Sequence, residues 1–199
     1  MLPAMTKLVL YGMVLLAGIL VGCNRTGPRP APPQVSPAGS RSAPAPRTYA
    51  LPDDLCTAFD LTPFTEAYPG GKADKPYELT RIEDGNGGFS SCGATISFGL
   101  NVVVITLQAD VYADANRARV SFDGLKGSDF RRYREPKEVP GLRDSAYSYF
   151  SEDLGPRLVV LHGNARVAAY AHSYKDLVKL PPDVLERLRR MTEYALDHM

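Results

Sequence analysis

The sequence predicts an α+β domain, an antiparallel β-sheet covered mainly on one face by helices. Two stretches within residues 90–111 alternate apolar and polar side chains, the period of half-buried strands. Residues 113–125 and 181–199 instead place apolar residues three and four apart, the period of amphipathic helices. The elements follow one another as helices, strands, helix, strands, helix, and this order favours an antiparallel sheet with helices laid against it.

Each element has a local reason. Pro52–Tyr68 reads as one or two short helices, with Leu55, Cys56 and Phe59 on one face. Thr62-Pro63 supplies an N-cap and a proline at the first helical position. Asp53 and Asp54 stand where carboxylates stabilise the positive end of a helix, the alternative being a catalytic pair. Tyr77–Asp84 is a strand and Gly85–Gly88 a turn. In Ser90–Leu100, Cys92, Ala94, Ile96, Phe98 and Leu100 share a face, so Cys92 points into the core. The next strand starts at Asn101 and turns Val103, Ile105, Leu107, Ala109 and Val111 inward, with Thr106, Gln108 and Asp110 outward.

Ala113–Leu125 reads as a helix capped by Asp114, with Ala115, Ala118, Phe122 and Leu125 buried and Gly124 and Gly127 ending it. Arg131–Pro140 reads as irregular and basic, and Ser145–Ser151 as a short strand. Leu158–Leu161 and Arg166–His172 form a hairpin about Gly163-Asn164, a pair suited to positive φ. Pro181–Met199 is the last helix, its core stripe Val184, Leu185, Leu188, Met191 and Ala195.

The first fifty residues have a different character. Met1–Lys7 carries one positive charge, and Leu8–Leu20 is an apolar run of 13 residues. A spanning helix needs roughly 20, so the run reads as a signal h-region. It ends in Leu20-Val21-Gly22-Cys23, which resembles the lipobox of bacterial lipoproteins. The resemblance implies that a diacylglycerol is attached to the thiol of Cys23 and that cleavage makes Cys23 the first mature residue. It also implies at least two acyl chains, which hold a protein stably on the outer face of a membrane where one chain holds it marginally. The other reading is an ordinary secretory signal with a chance cysteine.

The organisation is thus a signal peptide at 1–22, a lipidated cysteine and Pro-rich tether at 23–50, and one extracytoplasmic domain at 51–199. The tether reaches roughly 80 Å as extended polyproline II, or about 30 Å as a flexible coil. It carries four arginines and no acid, whereas residues 51–199 carry 18 basic and 22 acidic residues. The basic tether is attracted to anionic lipid, or its arginines merely keep it soluble. The overall charge makes no case for nucleic acid as a partner.

With Cys23 given to lipid, Cys56 and Cys92 remain, and outside the cytoplasm they form a disulfide. Such a closure stabilises the fold by about 4 kcal/mol on the chain-entropy account. The alternative is a redox or metal pair, although a separation of 36 is unlike C-x-x-C and no histidine lies close in sequence. Cys56, Cys92, "VPGLRDSAYSYF" and "RLVVLHGNARVAAY" together resemble a group of small two-cysteine actinobacterial lipoproteins of unknown function. That resemblance covers Leu51–Met199, departs from the group at Gly93-Ala94 where a tryptophan is expected, and brings no activity with it.

Chemistry is hard to assemble from these residues. If 162 pairs with 165 and 161 with 166, His162 shares a face with Val160, Val167 and Ala169, and His172 lies on the opposite one. His198 sits at the C-terminus. There is no G-x-S-x-G, P-loop or dinucleotide fingerprint. Asp84–Gly88 begins like a calcium loop, but Gly88 replaces a ligand and Thr95 stands where the bidentate glutamate belongs. No metal or cofactor is expected.

Two features suit a partner. Arg131, Arg132 and Arg134, interleaved with Phe130 and Tyr133, are candidate contacts for anionic lipid, a phosphate-bearing wall polymer or an acidic protein. The uncovered sheet face with Thr106, Gln108 and Asp110 is the second. The expectation is a lipid-anchored extracytoplasmic binding or interaction module without catalysis, its partners the membrane and a small ligand or envelope protein. A carrier requires an apolar cavity between sheet and helices; a docking module requires a closed core and an exposed patch. The alternative is an envelope enzyme or enzyme accessory acting on wall or lipid.

Overall fold

The computed structural model describes residues 47–85, 87–173 and 179–199. The lipobox with Cys23 and the tether as far as residue 46 lie outside the described residues. The alternation within residues 90–111 becomes two twelve-residue strands, β3 (Gly87–Phe98) and β4 (Asn101–Tyr112), paired along their whole length. Before them come β1 (Lys72–Ala73) and β2 (Tyr77–Asp84), both against the outer edge of β3. After them come β5 (Arg134–Glu138), β6 (Ser145–Ser151), β7 (Gly155–His162) and β8 (Ala165–Ser173). All pairs are antiparallel, in the order β1-β3-β4-β8-β7-β6-β5 with β2 beside β3.

Short helical turns at Leu55–Ala58 and α1 (Thr62–Thr65) precede the sheet, α2 (Ala115–Arg132) follows β4, and α3 (Val184–His198) closes the chain. The Asp54 side chain accepts the Cys56 N–H at 2.8 Å, and Asp114 accepts the Arg117 N–H at 2.8 Å, satisfying donors that the first helical turn leaves open. α1 begins at Thr62 itself, so Pro63 takes its second position, and the Asp60 side chain accepts the Thr62 N–H at 2.9 Å.

One sheet face turns Cys92, Ala94, Ile96, Val103, Ile105, Leu107, Val160, Val167 and Ala169 inward, all fully buried. α3 lays Leu188, Met191, Ala195 and Leu196 on it, and Leu55, Ala58 and Phe64 close its side. Each Val, Leu, Ile, Phe or Met among them contributes roughly 1.5–3 kcal/mol by leaving water. Cys56 and Cys92 are joined with Cα atoms 5.4 Å apart, which ties the first turn to the sheet.

Four expectations need correction. Helices do not lie mainly on one face: α2 packs Ala118 and Phe122 against Tyr147, Val159, Leu161 and Ala168 on the opposite one. The cause is visible in β7, where Leu158-Val159-Val160-Leu161 is apolar without alternation and therefore needs cover on both faces. Second, α2 runs on through Gly124 and Gly127 to Arg132, so Arg131–Pro140 is a helix end followed by strand β5 rather than an irregular loop. Phe130 packs into the second core and holds the late turns, outweighing the glycine cost of about 1 kcal/mol each. Third, Leu100, Leu125 and Leu185 are exposed by 98%, 37% and 38%, Leu100 because the tight β3–β4 turn leaves it no core to reach. Fourth, the packed unit begins before residue 51, since Tyr49 is buried to 8% exposure.

Candidate functional site

The domain has two ends, defined by the direction of α2. At the first, the chain enters along Arg47–Leu51. The Asn164 side chain in the β7–β8 turn fastens that strap: its Oδ1 accepts the Tyr49 N–H at 2.6 Å, and its Nδ2 donates to the carbonyls of Tyr49 at 3.0 Å and Tyr112 at 2.7 Å. Gly163, at φ 56°, lets the turn approach the Arg47 backbone in a conformation other residues adopt at a cost. α2 starts here and carries the chain about 27 Å to the other end.

Arg131, Arg132 and Arg134 lie at that far end, brought together by the end of α2 and the start of β5. All three are exposed. The C-terminal turn of a helix favours cations, which gives Arg131 and Arg132 a local electrostatic reason to be there. Arg134 is engaged within the domain, 5.9 Å from the Phe150 ring centre and 3.9 Å from Glu152. Arg131 and Arg132 have no acidic partner among the described residues, and the Arg132 guanidinium sits 5.3 Å from the centre of the Tyr133 ring.

Phe150 carries no site signal in the sequence. Exposed by 37%, it borders three surface hollows of about 280, 380 and 240 Å³. The first is apolar, walled by Leu180, Pro181, Val184 and Leu185 ahead of and within the first turn of α3. The second holds Glu152, Asp153, His172 and Lys179, and the third the Arg132–Arg134 segment. These hollows lie at the surface.

The face with Thr106, Gln108 and Asp110 is not a plain solvated surface. Thr106 is buried, and Asp110 accepts from Arg166 at 2.8 and 3.1 Å beneath α2. Gln108 Oε1 accepts from Arg157 Nη2 at 2.5 Å. Register places Tyr149, Arg157, Tyr170 and Thr106 directly opposite one another across β6, β7, β8 and β4. The Arg157 guanidinium lies 5.2 Å from the Tyr170 ring centre, and Tyr149 stacks on Tyr133 with centres 4.5 Å apart and planes 10° from parallel. Burial pushes the Tyr149 hydroxyl up to about 12 against the pull of Arg157. Burial, with a 2.7 Å hydrogen bond to Asp129, raises Tyr147 further.

The histidines do not converge. Pairing of 162 with 165 and 161 with 166 puts His162 and His172 on opposite faces. His162 Nδ1 lies 3.1 Å from Asp144, whose other oxygen accepts the Gly163 N–H at 2.7 Å, so this pair builds the hairpin end. His172 Nδ1 is buried without a hydrogen-bond partner, and burial lowers its pKa. Among the described residues no group of three or more His, Cys, Asp or Glu stands together to hold a metal ion. No helix of the described residues is long and apolar enough to cross a membrane. Comparison with family models, curated proteins and solved structures returns no match for this chain.

Proposed function

We propose that the protein is a lipid-anchored, non-enzymatic interaction module of the cell envelope, held on the extracytoplasmic face through Cys23. In this reading it meets its partner through the end of the domain where α2 finishes. The observation that supports it most is the separation of the two ends. The chain enters at Arg47, and about 27 Å of α2 lies between that strap and the Arg131–Arg134 segment. A domain tethered by the strap end presents the other end outward. That end carries the exposed Arg131 and Arg132, without acidic partners among the described residues, and the hollows around Phe150. The disulfide suits an oxidising location, as the lipobox resemblance requires.

The test is photocrosslinking in living cells with benzoylphenylalanine replacing Phe150 in one variant and Glu83, at the strap end, in another. The expected result is an envelope adduct from position 150, not from 83, that disappears with Cys23→Ala. Equal adducts at both positions, or none at 150, would overturn the reading.

A further inference from the structure

Arg157 has an environment that its structural neighbours do not explain. The residue is half-buried, on the sheet face against which α2 packs. A desolvated cation is ordinarily paired with a carboxylate. Arg166, one strand away and under α2, obeys that rule through Asp110. Arg157 does not: its partners are the neutral Gln108 amide, the Tyr149 hydroxyl and the ring of Tyr170, and no acidic side chain of the described residues meets it. Its Nε is buried and makes no hydrogen bond. One strong donor and most of a positive charge are therefore uncompensated on this face.

The surroundings add to that charge. Tyr149 stands directly across from Arg157, Tyr133 stacks on Tyr149, and Arg132 lies over Tyr133. The result is an unbroken series, Arg132, Tyr133, Tyr149, Arg157 and Tyr170, in which both cations are held by aromatic rings and neither by an acid. Rings hold a guanidinium in place by cation–π attraction without neutralising it. The arrangement fixes the cations and leaves their charge for something else.

We propose that this series is a binding site for a small phosphate monoester, with Arg157 holding the phosphate and Arg132 at its margin. A guanidinium presents planar, fixed donors that match phosphate oxygens. A phosphate monoester brings close to two negative charges and three acceptor oxygens, which suits two unpaired cations better than a single carboxylate does. The proposal deepens the interaction reading and rests on it. Its test does not involve the anchor, so failure of one is distinguishable from failure of the other.

The experiment uses the full-length chain in neutral detergent, labelled with ¹⁵N-arginine, at constant chloride. The probes are inorganic phosphate and acetate, and the readout is the Nε–H resonance of each arginine. The Arg157 signal is identified by its loss in Arg157→Lys. The expected result is a saturable shift of the Arg157 signal with millimolar phosphate, with acetate binding at least about tenfold more weakly. The remaining signals of Arg157→Lys should show that affinity lost although the charge is kept, and Arg132→Gln should weaken it several-fold. An unsaturated drift shared by all arginine signals, equal affinity for acetate, or unchanged affinity in Arg157→Lys would each overturn the proposal. The wild-type titration reads the first two points on whichever arginine signal moves, so a folding defect in a variant does not shield the proposal.

Discussion

Replacing Asn164 with alanine should loosen the strap through which the tether joins the domain. Asn164 is 4% exposed, and its side chain makes three hydrogen bonds, two to the Tyr49 backbone and one to the Tyr112 carbonyl. A bond of this kind contributes about 1 kcal/mol net, and a buried group left without a partner costs about 1–3 kcal/mol, so Asn164→Ala should destabilise by about 3 kcal/mol. The main-chain bond from Tyr112 N to Asn164 O, at 2.9 Å, survives and keeps the hairpin end in place. Asn164→Asp should be worse than Asn164→Ala, because a carboxylate would face two carbonyl oxygens where an amide donated. Urea unfolding read by circular dichroism measures both. A double-mutant cycle with Tyr49→Ala should show strong coupling, since both changes release the same strap. A loss below about 1 kcal/mol for Asn164→Ala, or additivity with Tyr49→Ala, would refute the strap as a structural fastening.

Other consequences can be checked alongside. Losing the disulfide in a Cys56→Ala, Cys92→Ala double variant should cost up to about 4 kcal/mol. At about 2–4 °C per kcal/mol for a domain of this size, the melting temperature should drop by about 8–16 °C, and calorimetry that finds it unchanged would exclude the staple. Gly124→Ala should stabilise by roughly 0.5–1 kcal/mol, because the position is helical and a methyl group there meets open space; thermal melts giving a loss would contradict the helix. The contribution of Tyr149 to stability should be level up to about pH 10 and fall from there toward pH 12. The unfolded tyrosines ionise near 10, whereas folded Tyr149 is pushed up to about 12, so the unfolded state sheds its proton first. Tyr149→Phe should flatten part of that fall in urea titrations at stepped pH.

Legibility followed the kind of signal each segment carries. β3, β4 and the β7–β8 hairpin were readable because alternation fixes both face and register, and the pairing of 161 with 166 put the two histidines on opposite sides. The disulfide was readable from inward-facing Cys92 together with the location that the lipobox resemblance implies. α2 was cut short because Gly124 and Gly127 are local breakers, and the burial of Phe130 that outweighs them is tertiary information. The cover on the second face is legible in the unbroken apolar run of β7, which has no polar side to turn to water.

The candidate site divided in the same way. Arg131, Arg132 and Arg134 form a contiguous cluster and stand out in the chain. Arg157 is one arginine beside an apolar run, and only cross-strand register brings it to Tyr149 and Tyr170. Phe150 was invisible as a site residue because its hollows are made with residues of α3, more than thirty positions away.

The most direct test of the envelope-anchored reading is the intact mass of the protein extracted from the membranes of its own host. A chain that starts at Cys23 and carries a diacylglycerol with a further acyl group is the predicted result. An unmodified chain, or one starting elsewhere with Cys23 as a free thiol, would contradict it.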